Sequence, residues 1–285
     1  MGYFDSLVEK FEQEPELEAA FGQHIHWGFW QYPQQATGEL EDFGKAANHL
    51  SKLVLELAQI PEKANILDAG CGFGGTINLL NQTYSHLKLF GLNIDRVQID
   101  KAQEIIKPIN GNYVEFIHGD ACQFPDFLEK FDIIIALECI FAFPSRERFF
   151  AEAHQVLKPG GKLIIVDFLI SPKLWLFWSF FETQILSRMI TNTYGSKATQ
   201  VVQFIGLDSY KKIATKIGFD LVQQLDITEN VQPTYKAINQ LIIANLQDWL
   251  TAKGLEFFSL AKLITYEILV FNSTDTVNSI MNVKL

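Results

Sequence analysis

Three glycines, Gly70, Gly72 and Gly75, follow the short apolar run Asn65-Ile66-Leu67-Asp68-Ala69 and satisfy the spacing GxGxxG. Glycines so placed let the backbone approach a ligand, and the next helix offers N–H groups and a positive dipole end. That chemistry suits a pyrophosphate, and equally the carboxylate of an amino-acid-like cofactor. Asp68, two residues before the first glycine, separates the two readings. A carboxylate is awkward beside a pyrophosphate but suits a ligand ammonium group, directly or through water. Farther along, Gly119-Asp120-Ala121 follows another apolar run, and Glu138 ends the stretch FDIIIALE. Glu138 has two readings: an acid–base group with a raised pKa, or a carboxylate that orders its loop. His24 and His26, in HIHWGFW, are alternative bases if that segment closes over a site. Cys71, Cys122 and Cys139 form no CxxC pair, and no Cys/His cluster has zinc spacing, so no metal site is expected.

The elements that must hold these residues follow from periodicity. Strands are predicted at Asn65–Ala69, Leu87–Ile94, Val114–His118, Phe131–Leu137 and Lys162–Phe168, with helices at Val97–Ile106 and Arg146–Leu157. Short β-rich runs alternating with helical ones indicate βαβ units and a parallel sheet. FDIIIAL and KLIIVDF are almost continuously apolar, as strands covered on both faces should be. Phe4–Phe21 and Leu40–Leu57 read as amphipathic helices ahead of the sheet. Beyond it come a helix Asp208–Ile217 ended by Gly218, a strand Phe219–Ile227, a long helix Pro233–Leu250 and a final strand Leu260–Phe271. LKPGG, residues 157–161, reads as a turn launching the fifth strand. The expected fold is α/β: a Rossmann-like, seven-stranded, mostly parallel sheet with a helical cap formed by the N-terminal segment and two inserts. The divisions are a cap segment 1–60, a core 61–170, an aromatic-rich lid insert 171–207, and 208–285 returning to the core with a helical insert at 228–258.

Composition narrows the partners. Lys plus Arg total 23 against 33 for Asp plus Glu, a net charge of −10, which disfavours nucleic acid. The acidic N-terminus has no apolar h-region, and the most apolar stretch, 163–181, is broken by Asp167, Pro172 and Lys173. A cytoplasmic protein without integral membrane association is expected, its oligomeric state open. Twenty-four Phe beside 5 Trp and 8 Tyr point to aromatic-lined space.

ILDAGCGFGG, GLNID, GDA and LKPGG fall in order between about Ile66 and Asp167, and together resemble the class I S-adenosylmethionine (SAM) dependent methyltransferases. The resemblance implies SAM as cofactor and S-adenosylhomocysteine (SAH) as product. It places the methionine part of SAM at Asp68, Gly70 and Gly72, and the ribose at Asn93, with Ile94 and Gln98 alongside. Most of the family carries an acid at the Asn93 position, and an Asn amide can still bond both hydroxyls. Asp95 is expected to cap the next helix. Asp120 and the Ala121 N–H are assigned to adenine, and Leu137 to the floor under the cofactor. Relatives often carry histidines after the fourth strand, where this chain has Phe141 and Ala142. That leaves Glu138, then His26, as candidate catalytic groups.

HIHWGFW resembles a segment of small-molecule methyltransferases of the tocopherol, sugar and isoprenoid diphosphate type, which places Trp27 at the cofactor; the other reading packs it in the cap. Trp30, Phe141, Trp175 and Trp178 are assigned to an apolar acceptor pocket, the last two on one helical face of LWLFWSFF. The implied function is methylation of N, O or C on a hydrophobic small-molecule natural product. The alternatives are a lipid or isoprenoid methyltransferase at membrane surfaces, and a non-catalytic SAM/SAH-binding protein.

Overall fold

The computed structural model of the protein describes residues 24–127, 129–174, 204–241, 253–254 and 256–274. Seven strands form one sheet: β1 (Asn65–Ala69), β2 (Lys88–Asn93), β3 (Tyr113–His118), β4 (Phe131–Leu137), β5 (Leu157–Ile170), β6 (Phe219–Asp226) and β7 (Ile264–Ser273), in the order β3-β2-β1-β4-β5-β7-β6. The β1–β2, β2–β3, β1–β4 and β4–β5 pairs are parallel. Ile227 N donates to Tyr266 O and Thr274 N to Gly218 O, a pattern that runs β7 antiparallel to β6. The seven-stranded, mostly parallel sheet expected from the sequence is the sheet observed.

All residues of β1 are buried, as are all but Asp132 in β4, which accounts for the unbroken apolar runs of a doubly covered sheet. Chain order reverses at β1, with β2 and β3 on one side and β4 and β5 on the other. A parallel sheet opens a crevice for ligands at the carboxyl ends of its strands where this reversal occurs. Helices α1 (Leu40–Ala58), α2 (Gly75–Thr83), α3 (Arg96–Ile105), α4 (Arg146–Val156) and α5 (Leu207–Ile217) sit close to their expected positions. Two further helices, α6 (Thr228–Val231) and α7 (Pro233–Leu241), precede β7.

Two boundaries differ from the sequence reading. Residues 157–161 belong to β5 itself: Leu157 pairs with Phe131, and the ladder shifts register before resuming at Lys162↔Ile133. A bulge admits Pro159 and the positive-φ Gly160 without ending the strand, so LKPGG is not a free turn. The final strand begins at Ile264, not Leu260. Leu263 N turns back to Phe258 O, and Lys262 takes a left-handed φ of 51°. His154 Nε2 meets Thr274 O at 3.2 Å, and its ring packs edge-on against Phe219.

Contacts group the chain into two compact units. Unit one takes the described residues within 1–52, 168–207 and 226–267; unit two takes those within 53–167, 208–225 and 268–285. In unit two, Phe150 is the hub of an aromatic core with Phe149, Tyr210, Phe219 and Phe271. In unit one, Trp27 packs against Phe168, Tyr235 and Tyr266.

Candidate functional site

Strand β1 carries Asp68 into unit two opposite Gly91 of β2 and Ile135 of β4, at the reversal of strand order. The residue is 2% exposed. Among the described residues its carboxylate accepts no hydrogen bond and forms no ion pair. Burial pushes its pKa up to about 7. Cys71 and Cys139 lie within its field, and burial together with the Asp68 charge raises both thiols well above their ordinary range. They are therefore neutral neighbours, not counter-charges. A buried carboxylate without a partner is costly, and a cation delivered by a ligand removes that cost.

The glycine turn after β1 is built by close approach. Gly70 has φ +85°, and a Cβ there would stand 2.7 Å from the Cβ and Sγ of Cys139. Gly72 is also left-handed, at φ 55°. The N–H groups of Gly70 and Cys71 both donate to Leu92 O, at 2.7 and 3.0 Å, which pins the turn to the end of β2. Gly70 thus contributes shape, its own donor being engaged. Among the described residues the Gly72 N–H makes no hydrogen bond, and Gly72 lies three residues before α2 opens at Gly75. A buried anion acceptor for a cation and a backbone donor for an anion stand four residues apart.

At the end of β2, Asn93 Nδ2 donates to Gln98 Oε1 at 2.7 Å, and its Oδ1 accepts from Ile94 N at 3.0 Å. Asp95 accepts from Val97 N and Gln98 N, the N-cap expected of it. Gln98 is buried while Ile94 is 68% exposed, so one edge of this corner is polar and the other apolar. After β3, Asp120 Oδ1 accepts from Cys122 N at 2.8 Å, leaving its second oxygen without a hydrogen bond among the described residues. Ala121 is buried beside it.

Leu137, buried, ends β4 against Val166 of β5. Glu138 follows in a left-handed conformation, φ 52°, its N–H donating to Val166 O at 2.9 Å. A non-glycine residue held there stores strain, and such positions concentrate at functional sites. Cys139 Sγ reaches Ala69 O at 3.0 Å, tying the β4 end to the β1 end. Phe141 is buried in the 3-10 turn Ile140–Ala142. Alongside, Arg146 of α4 meets Asp167 of β5 at 3.2 Å and Tyr210 of α5 at 3.0 Å, and Tyr210 OH donates to Asp167 Oδ2. Burial opposes the Arg146 charge, yet Tyr210 and Asp167 hold the guanidinium charged; burial likewise raises the Tyr210 hydroxyl far above its usual value.

Residues 67–165, from within β1 to within β5, match a family model described as a methyltransferase domain. That span is similar to a methyltransferase domain, as its motifs are to the class I SAM-dependent methyltransferases. Methyltransferase GfsG of Streptomyces halstedii is 26% identical over 231 residues, 80% of this chain and 77% of that protein. The 27-O-demethylrifamycin SV methyltransferase of Amycolatopsis mediterranei is 29% identical over 77% of this chain and 75% of its own length. The crystal structure of the [4+2]-cyclase SpnF superposes with a TM-score of 0.66 at 18% identity, covering 92% of this chain and 94% of that one. That likeness concerns the fold.

The open polar groups among the described residues of unit two fit SAM. Among the described residues Asp68 has no cation, the Gly72 N–H no acceptor, and the second oxygen of Asp120 no hydrogen bond. Asn93, Ile94, Gln98, Asp120, Ala121, Leu137, Glu138 and Phe141 gather with the glycine turn in unit two. His26, Trp27 and Trp30 belong to unit one. There Trp27 is 8% exposed within its aromatic cluster, and Trp30 donates Nε1–H to Asp42 Oδ2 at 3.0 Å beside Phe43. Trp175 and Trp178 lie outside the described residues. Sequence reasoning missed the Arg146–Asp167–Tyr210 network. Its one signal was Asp167 itself, a charge within an otherwise apolar doubly covered strand.

Proposed function

We propose that this protein methylates N, O or C of a hydrophobic small molecule, with SAM as donor and SAH as product. The observation that carries the reading is Asp68: a buried carboxylate without a hydrogen-bond partner among the described residues, set beside a backbone turn with an open N–H. In this reading Asp68 binds the cofactor's ammonium, Gly72 N–H its carboxylate, the Asn93–Gln98 pair its ribose, and Asp120 and Ala121 its adenine, with Leu137 as the apolar floor. SAM, when bound, supplies a methyl group on a sulfonium that is open to in-line displacement. The chain contributes position above all, because fixing a nucleophile near that carbon replaces an encounter in solution. Glu138 takes a proton from the acceptor, or orients its O–H or N–H.

The relatives support the acceptor class: the name of the rifamycin-type enzyme speaks of a methyl on oxygen of a small molecule. The aromatic residues Trp30, Phe141, Trp175 and Trp178 are proposed to line the acceptor pocket, with 171–207 as its lid. Among the described residues no helix is long and apolar enough to cross a membrane.

The test is an acceptor screen with radiolabelled SAM, run beside calorimetry with SAH. Methyl transfer with SAH release is expected. SAH binding without turnover on any acceptor would leave a binding protein, and absence of SAH binding would remove the reading. Gly72→Val should abolish SAH binding, since a branched side chain is strained at that left-handed position and obstructs the backbone donor.

A further inference from the structure

At the amino ends of β4 and β5, opposite the strand ends near Asp68 and Glu138, unit two holds a cavity of about 200 Å³. It lies between the end of α1 and the bulge that opens β5. The bulge makes the hollow. Four residues, 158–161, stand between Leu157, opposite Phe131, and Lys162, opposite Ile133, where β4 has Asp132 alone. Gly161 closes the bulge by having no side chain, since a Cβ there would stand 2.8 Å from Lys158 O and 3.2 Å from Asp132 O. At Gly160, in contrast, nothing lies within 4 Å of the Cβ position, so that side is open. Pro61 and Pro159, both exposed, add apolar surface to the lining.

The two lysines of this cavity stand in different states. Lys158 Nζ donates to both oxygens of Asp132 at 2.8 Å, and Asp132 Oδ2 also accepts from Asn65 N at 2.8 Å. That pair is complete within the chain. Lys162 Nζ donates to Ala58 O, the last carbonyl of α1, and to Gln59 Oε1, each at 2.9 Å. Both acceptors are neutral, and among the described residues no carboxylate pairs with Lys162. Burial pulls its pKa below the ordinary lysine value, with no anion to raise it. A helix C-terminus favours a cation, which accounts for two of the three N–H groups of the ammonium. Two lysines against one aspartate leave the cavity net positive, in a chain whose net charge is −10.

We infer that this cavity is a binding site for a small monocarboxylate with a short apolar body, its carboxylate on Lys162 Nζ and its body against Pro61 and Pro159. One uncompensated ammonium matches a single negative charge, whereas a dianion would also face the Asp132 carboxylate. Small-molecule sites are mostly apolar with a few placed polar groups, and this cavity follows that plan. The site stands apart from the glycine turn and does not depend on the methyl-transfer reading, so its ligand and SAH should bind together.

The experiment is titration of the full protein with benzoate, with benzamide as its neutral counterpart of the same shape, and with inorganic phosphate. Binding is read from the backbone amide resonances of Gly160 and Gly161 by NMR. Benzoate should shift them saturably, while benzamide and phosphate at equal concentration should not. Lys162→Met keeps the length of the side chain and removes its charge, and should weaken benzoate binding by about tenfold, the loss of one charge-assisted hydrogen bond. Lys162→Arg should retain most of the affinity, and added salt should lower it in the wild type. Saturating SAH should leave benzoate affinity unchanged. The comparison of benzoate with benzamide is made on the unaltered protein, so it decides the matter even if Lys162→Met does not fold. No saturable shift, equal shifts with benzamide, a stronger response to phosphate than to benzoate, or full affinity in a folded Lys162→Met overturns the site. Competition between benzoate and SAH would place benzoate at the glycine turn, and overturns it as well.

Discussion

Asp68 and Asp167 are the same residue type, in strands separated in the sheet only by β4, and both are buried, yet the protein treats them in opposite ways. Asp167 receives a guanidinium from Arg146 and a hydroxyl from Tyr210. Asp68 receives nothing from the described residues, and its pKa rises accordingly. The difference shows where the fold ends and the site begins. A buried charge that the chain neutralises itself is part of the scaffold, and one left for a ligand to neutralise marks a binding position. Glu138 is a third carboxylate at this end of the sheet, only partly buried and held on a strained backbone.

The scaffold half of the contrast has the largest expected effect. Arg146→Met leaves Asp167 buried without its cation, and removing one partner of a buried ion pair costs about 3–5 kcal/mol. The unfolding free energy from denaturant titration should fall by that amount, and the double variant Arg146→Met with Asp167→Leu should recover much of the loss. If Arg146→Met alone is as stable as the wild type, the network is not what holds α4 to β5.

Next in size is Glu138→Gln, which tests whether the strained carboxylate is chemical or structural. With a role in the transition state, turnover should fall by about 10²-fold while SAH affinity barely moves. Near-full activity in the isosteric amide would assign Glu138 to ordering its loop, and would leave catalysis to proximity.

The pH dependence of stability sharpens the comparison further. Asp68 has a folded pKa of about 7 against an ordinary 3.8, so between those values the folded state holds a proton that the unfolded chain lacks. Its contribution to stability therefore falls as pH rises through that window. His24 and His26 act in the reverse sense. Their folded values of about 3 and about 4 lie below 6.5, so the unfolded chain binds more protons and stability rises with pH up to about 6.5. Above that, Asp68 alone of these three still titrates. Thermal unfolding of the ligand-free protein should show a shallow loss between pH 6.5 and 7.5 that Asp68→Asn removes, together with a steeper acid limb in that variant. Parallel curves for the two proteins would show that Asp68 is not a desolvated carboxylate.

The smallest effect concerns Asp95, the carboxylate that sits outside the contrast. Asp95→Ala loses a helix cap and should cost about 1 kcal/mol of stability with SAH affinity retained, whereas Asn93→Ala should weaken SAH binding at unaltered stability. The reverse pattern would exchange their roles.

Much of this was legible in the sequence because it is local. An apolar run interrupted by one acid and followed by glycines defines β1, Asp68 and the turn together, and Asp95 reads as a cap from its place before an amphipathic stretch. The failures have a common cause in pairing across the chain. Pro159 and Gly160 carry turn chemistry, and only the register of β5 against Phe131 keeps them in the ladder. Leu260 continues the apolar pattern of the last strand, but the reversal at Phe258–Leu263 shortens it. Arg146, Asp167 and Tyr210 lie 21 and 43 residues apart in sequence, so nothing in spacing joins them. Ser51 reads as an ordinary helix residue until His24 and His26 fold onto it.

The central claim, that Asp68 is the carboxylate reserved for a ligand, is tested most directly by calorimetric titration of SAH into wild type and Asp68→Asn side by side. A charge-assisted hydrogen bond of about 1.5–3 kcal/mol predicts a loss of roughly ten- to a hundredfold in affinity, in a variant at least as stable as its parent at neutral pH. Equal SAH affinity in the two proteins would contradict it.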